Sequence, residues 1–569
     1  MHTSRKLGNR AYWAVRWALC EALPVAVVAL LPTPAYADNP IVQTNYTADP
    51  APMVHEGKLY LYTSHDEDVT VDNFYTMNDW RLYSTEDMVN WTDLGSPAGL
   101  HSFDWGTDSA WAPQGIARDG QFFLYVPLNN NTGSRIGVGV SDTVEGPFMD
   151  PLGTDLAQSN SADIDPTVFI DDDGQAYMYW GNATLKYVKL NEDMVSYSGS
   201  PTDVALSGFT EGPWFYKRES TYYMAYAGMG GGTEKISYAT STSPTGPWSA
   251  RGDIMAAGST YTNHPGIVDY KGHSYFFYHN SALPGGNDFK RSVCVEEFSY
   301  GADGSIPTLT MSQDGPDAVA TLNPFAQVEA ETIAFSSGLK TETCDDTGGG
   351  QNVTQIDAGD YIKVKNVDFL DGVTSFDARV SQAGAGATIE LHLDSQSGTL
   401  LGTCDVSGVS SWTTKTCEVS GGDGTHDLFL VFAGGSFEFN WWKFDGPTVP
   451  GDGSGGAPGA GGAVSSGGSP GAGGLLGSGG TSAVGGSGGS GVGGGSTSPG
   501  GGSGGSGGLD GGVGGGPAGS GGASGSMDQG CSCRVGARQT GGGGSVPVWL
   551  AAACALGLAA RRRTTNTRA

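Results

Sequence analysis

Basic residues are scarce in this chain of 569 residues: 29 Lys and Arg face 59 Asp and Glu, a formal net charge of −30 at pH 7. Such a surface repels anionic polymers, which excludes nucleic acid as a partner, whereas a neutral polymer meets no such penalty. Cysteine is also sparse. Of the eight, Cys20 lies near the N-terminus and Cys531, Cys533 and Cys554 near the C-terminus, leaving Cys294, Cys344, Cys404 and Cys417 in the body of the chain. No CxxC pair or HExxH segment offers zinc ligands there, and no Walker loop or nucleophile-elbow serine is present. Long apolar runs are missing too: the stretch Ala22 to Leu31 falls short of the roughly 20 residues that a spanning helix needs.

What is present divides the chain. Residues 1–37 read as a signal peptide, with Arg5, Lys6, Arg10 and Arg16 ahead of the apolar stretch and Ala35-Tyr36-Ala37 as a small-residue cleavage site. Residues 447–530 are Gly/Ser/Ala/Pro of low complexity, a flexible tether that cannot bury a core. Beyond it, residues 531–569 carry GCSC, an apolar stretch from Val546 to Ala560, and Arg561-Arg562-Arg563. Cysteine pair, short hydrophobic helix and basic stop together resemble a myxobacterial C-terminal sorting signal. That implies a transient membrane association through the helix and a secreted or surface-anchored product.

Between residues 49 and 280 one unit recurs five times. A proline bend precedes an apolar strand, a polar turn (HEGK, RDGQ, DDGQ, KRES, YKGH) and an aromatic-rich strand, at starts about 46 to 63 residues apart. The bends are Asp49-Pro50, Trp111-Ala112-Pro113, Asp165-Pro166, Glu211-Gly212-Pro213 and His264-Pro265. This spacing suits the blades of a five-bladed β-propeller. Equivalent positions at the start of each innermost strand point to one central axis, so Asp49, Asp165 and Glu211 are expected to gather at one end of the channel. Carboxylates facing each other across a sugar are what glycosidic hydrolysis requires, although such residues also start turns.

The stretches ADPAPMVHEGKLYLYTSHDED, DWRLYSTEDMVNWTDLG, WAPQGIARDGQFFLYVP, DIDPTVFIDDDGQAYMYWG and TEGPWFYKR resemble glycoside hydrolase family 43, and within it the arabinoxylan arabinofuranohydrolases. The resemblance covers residues 38–318 and implies inversion at the anomeric carbon. It assigns Asp49 as general base, Glu211 as general acid and Asp165 as the residue that tunes the acid's pKa and orients the sugar. Inversion further implies catalytic carboxyl groups roughly 6.5 to 9.5 Å apart. It places Arg291 beside the substrate, the other reading being a surface salt bridge. His264 falls near the axis, either as part of a calcium site or as a structural hydrogen-bonder. Trp111 and Trp180 are the candidates for the pocket wall, whereas Tyr60, Tyr62, Tyr177 and Tyr179 alternate as core residues do. The DDGQ loop at 172–175 is read as a hairpin turn rather than a metal site.

Residues 326–446 show short strand-like segments broken by Gly and Asp, which suits a β-sandwich of jelly-roll type. Cys404 and Cys417 lie in neighbouring segments, where a disulfide is plausible in an exported protein. EAE, NVTQIDAGDYIKVKNVDF, ATIELHLDSQSGTLLGTC, THDLFLVFAGG and FNWWKF resemble carbohydrate-binding module family 6. That implies a structural calcium, with Glu329 and Glu331 in its site, and a sugar cleft containing Asn440. Two aromatic positions of that cleft hold Gln355 and Val409 instead, while Trp412 remains.

The expectation is therefore an all-β, exported hydrolase removing L-arabinofuranosyl groups from arabinoxylan of the plant cell wall. It is expected to act as a monomer, with calcium in a structural role and no organic cofactor. Exo-β-1,4-xylosidase activity is the alternative within the same chemistry. A non-catalytic cell-surface carbohydrate-binding propeller is the alternative outside it.

Overall fold

The computed structural model describes residues 39–160 and 162–447. The leader at 1–37, the tether and the C-terminal segment are the sequence expectations that lie outside these residues, apart from residue 447. Among the described residues there is no α-helix, and one 3-10 turn at Leu100–Ser102.

Five antiparallel sheets follow one another along the chain. Their innermost strands are Tyr46–His55, Gln114–Arg118, Thr167–Ile170, Glu211–Arg218 and Gly266–Tyr270. Each pairs through a tight hairpin with an aromatic-rich second strand: Lys58–Asp66, Gln121–Asn129, Ala176–Trp180, Thr221–Met229 and His273–Asn280. The polar turns explain the hairpins. Glu56-Gly57, Asp119-Gly120 and Lys271-Gly272 all have both residues at positive φ, the mirror-image turn whose twist matches the flanking strands. The DDGQ loop is a longer hairpin connection with Gly174 alone at positive φ, closed by the Gly174 N–H on the Asp171 carbonyl, with Lys217 pairing Asp171 and Asp172. Aromatic side chains fill the space between blades. Tyr60, Tyr62, Tyr177 and Tyr179 are all buried, and the Tyr62 hydroxyl donates across to the Val144 carbonyl of the next blade.

The ring is closed by its own beginning. Ile41 N–H donates to Val293 O, and the Asn39 side chain brackets Val295 through its N–H and C=O at 3.0 Å each. The first residues thus cover the edge of Ser292–Phe298, the last strand of the fifth blade.

The second unit is a sandwich whose nine strands form one hydrogen-bonded set. Two long strands, Tyr361–Ser381 and Thr413–Ala433, pair along their length with register shifts that bend them around a core including Phe376, Leu430, Phe439 and Trp442. Cys404 and Cys417 are bonded, with Cα atoms 5.3 Å apart, while Cys294 and Cys344 are free and buried. The sandwich is not hung on a loose linker. Thr332–Ile333 adds a short strand to Trp91–Asp93 of the first blade. Asn90 reaches Lys365 as a strand would, donating to its carbonyl at 2.9 Å and accepting from its N–H at 2.8 Å. Asp93 accepts from Thr341 Oγ1 at 2.7 Å.

Removing the Asn90 amide takes these buried bonds away at once. Asn90→Ala is expected to cost about 1–3 kcal/mol of stability, read as a lower urea midpoint. An unchanged midpoint would show that the junction does not depend on this residue.

Candidate active site

Three backbone details bring the acids together. Asp49 and Asp165 stand immediately before proline with φ of +53° and +58°, and the third equivalent is Gly212 at +58°. Proline disfavours helical geometry in the residue before it, and a left-handed φ is strained for any residue with a Cβ. Structural registration therefore aligns Gly212, not Glu211, with the two aspartates. Glu211 comes one residue earlier, at a bulge between Glu211 and Trp214 matching the one between Ala48 and Ala51. The Gly212 N–H donates to Asp165 Oδ2 at 2.9 Å, linking the third and fourth blades.

Asp49 is buried and surrounded by donors. Arg291 Nη1 lies 3.2 Å from Oδ1 and Nη2 3.4 Å from Oδ2, and Ser64 Oγ–H donates to Oδ2. His279 Nδ1 is 3.6 Å and His264 Nδ1 3.9 Å from Oδ1. Burial by itself would raise this carboxyl, but Arg291, followed by the histidines and Ser64, brings it down to about 2. Burial drives His264 to about 4 and His279 to about 3, so at neutral pH both rings are uncharged and Arg291 supplies the positive charge. His279 Nδ1 accepts the Asp49 N–H at 3.3 Å, and its Nε2 sits 2.9 Å from Thr262 O, which fixes the proton on Nε2.

Glu211 behaves in the opposite way. Desolvation first and the Asp49 charge second push it up to about 7, against the Asn182 amide that donates to Oε2. Asp165 is pushed well above the usual carboxylate range by burial, then by Glu211 and Asp49. Glu211 and Asp165 also oppose each other's ionisation, so burial, the Asp49 charge and this mutual repulsion act together on the pair. One carboxylate held ionised and another held protonated in one site form an acid–base pair.

Of the other expected residues, Arg291 is 3 % exposed and belongs to the site rather than to a surface ion pair. His264 packs against Gly212, where an added Cβ would meet its Nδ1 at 3.1 Å. Among the described residues no set of three Asp, Glu, His or Cys ligand atoms includes His264. Trp111 is partly exposed beside the first blade, its carbonyl accepting from Trp80 Nε1. Trp180 corrects the pocket-wall expectation: it is fully buried between blades, with Nε1 donating to Asp163 at 2.8 Å, and shows no face to a sugar. Its strand ends inside the blade stack, where an indole fills volume.

Asn440 is likewise buried, donating to Asp346, which is gripped by Arg379 through Nε and Nη2 at 2.7 Å each. It serves this internal network instead of lying open in a cleft. Gln355 is exposed, Val409 packs on the sandwich core, and Trp412 is half-buried with its N–H on Asp345. Glu331 is 4 % exposed, its Oε2 is buried without a hydrogen-bond partner, and burial, then Glu329 and Asp93, keep its carboxyl well up. An unpaired buried carboxylate oxygen beside a second acid fits a hard cation such as calcium.

The sequence reading missed Ser64, Asp66, Tyr75, Asn182, Glu234, Asn263 and His279. Glu234 is buried, accepts from Asn263 N–H at 3.0 Å, and is pushed up to about 10 by desolvation and then by Glu211. A signal existed for three of them, Ser64, Asp66 and His279. Each second strand runs back to the level of the proline bend, pairing Ala48 with Ser64 and Gly266 with Phe277, so the ends TSHD and YHN had to face the acids.

Both folded parts of the chain resemble known proteins. Residues 37–306 match the model of glycosyl hydrolases family 43, and residues 329–446 that of carbohydrate binding module (family 6). The chain is 33% identical over 475 residues to an arabinoxylan arabinofuranohydrolase of Bacillus subtilis (strain 168), covering 71% of this chain and 92% of that protein. A second, from Paenibacillus polymyxa, is 30% identical over 71% of this chain and 74% of its own length. A crystal structure of a glycoside hydrolase family 43 arabinoxylan arabinofuranohydrolase from Bacillus subtilis, in complex with cellotetraose, matches with a TM-score of 0.65 at 31% identity. That match covers 73% of this chain and 99% of the other. With its five-bladed propeller and these matches, the chain belongs to glycosyl hydrolases family 43 and is a glycoside hydrolase carrying a family 6 carbohydrate binding module.

Proposed function

We propose that this chain is an exported, inverting exo-hydrolase that releases L-arabinofuranosyl side chains from arabinoxylan. The observation that carries the chemistry is the opposite displacement of two neighbouring carboxyls, Asp49 to about 2 and Glu211 to about 7. Glu211, protonated, gives its proton to the departing glycosidic oxygen. Asp49, ionised and aimed by Ser64 and Arg291, takes a proton from the water that attacks the anomeric carbon from the other side. Asp165 accepts the Gly212 N–H and so holds the backbone next to the acid.

The substrate follows the relatives that share both modules, named arabinoxylan arabinofuranohydrolases. A xylosidase/arabinosidase of Bacteroides ovatus, 32% identical over 47% of this chain, supports the second reading, release of xylose from xylo-oligosaccharides. Export is supported by the basic and apolar leader and by the Cys404–Cys417 bond, which persists in oxidising surroundings. A calcium ion held by Glu329 and Glu331 would neutralise the buried carboxylate beside the junction and take no part in the reaction.

Purified residues 38–446 acting on wheat arabinoxylan are expected to liberate arabinose, and Glu211→Ala to lower the rate by at least about 100-fold. Xylose as main product would move the assignment to the xylosidase, and no sugar with retained binding would leave a lectin. The pH profile has a definite sign. kcat/KM should fall as pH climbs through about 7, where Glu211 loses its proton, and hold on the acid side until the fold fails, because Asp49 stays ionised down to about 2. A profile rising through pH 7 would contradict the acid assignment. For the metal, EDTA should lower the melting temperature of the wild type and leave that of Glu331→Gln unmoved; equal responses would remove Glu331 from the site.

A further inference from the structure

The Arg291 guanidinium meets two carboxylates unequally. Asp66, fully buried at the end of Lys58–Asp66, receives the Arg291 backbone N–H at 2.8 Å, Nε–H at 2.9 Å and Nη2–H at 2.9 Å. Asp49 receives only the longer pair, 3.2 and 3.4 Å. The fifth guanidinium hydrogen goes from Nη1 to Thr262 Oγ1 at 3.2 Å. All five donors are therefore spoken for. The Tyr75 ring covers one face of the group, 4.9 Å from Cζ.

Facing a single carboxylate, a guanidinium closes to a bidentate pair at roughly 2.7 to 2.9 Å. Such a pair would hold both Asp49 oxygens tightly and make the carboxylate a weaker base, whereas the present longer contacts leave it a lone pair for the attacking water. We propose that Asp66 is a positioning residue of the reaction: by holding Arg291 back, it keeps the base charged yet free to receive a proton. Asp66 itself reaches no substrate, since it has no exposed surface. This rests on Asp49 acting as the base, the reading given above.

In Asp66→Asn the guanidinium loses its stronger partner and should move onto Asp49. The expected result is a kcat lower by about 10- to 100-fold with KM within about twofold, on arabinoxylan and on an aryl arabinofuranoside alike, because water activation is common to both. A crystal structure of the variant should show both Arg291–Asp49 contacts drawn in below their present 3.2 and 3.4 Å. An unchanged kcat in the folded variant, or a fall confined to KM, would overturn the proposal. Should Asp66→Asn not fold, Asp66→Glu keeps the ion pair while pushing the guanidinium towards Asp49. The same loss of kcat is expected there, and wild-type kcat would refute the idea. Wild type run alongside separates the two failures: if it releases no sugar, the base assignment falls, whereas an active wild type with an equally active variant removes only the role of Asp66.

Discussion

Closure of the ring is the constraint on which everything else rests. Residues 39–41 seal the edge of the fifth blade, and only in a closed ring do the starts of five inner strands face one another. The groups of the candidate site come from positions as far apart as Asp49 and Arg291, so no local segment could assemble them. An open array would leave an unpaired strand edge and would also spread the acids apart. Fold stability and active-site geometry are here one requirement.

Within that ring the site works by unequal burial and unequal company. Each acid is desolvated, which alone would keep all of them neutral. One cation, Arg291, lies against Asp49, and that placement decides which acid ionises. Once Asp49 is charged, its field helps keep the proton on Glu211. Two neutral histidines complete the surroundings, adding hydrogen bonds and shape without adding charge. The strained φ at Asp49 and Asp165 is the local cost of aiming side chains from a pre-proline position.

Much of this was legible in the residues. Proline bends and Gly-containing turns marked the blades, because hairpins with positive φ at both turn positions need those residue types, and two aspartates in register with a glutamate one residue off marked the axis. The register of Glu211 was legible only in part, since a bulge and Gly212 shift it by one residue, and spacing from the proline hides such an insertion. Trp180 misled because strand ends look alike in sequence whether they open on a channel or close against a neighbouring blade. Glu234 was hidden for another reason: nothing near it in sequence signals a buried acid. Its importance comes from a partner 29 residues away.

The Asn90–Lys365 bracket and the strand that Thr332–Ile333 lends to the first blade bear on how the two halves work together. A binding module on a flexible linker raises the local concentration of polymer and leaves its orientation to chance. A module sutured along a blade edge acts as a ruler. Whatever the sandwich binds is held at one set distance and one set angle from the propeller, a spacing fixed by the enzyme rather than left to a linker.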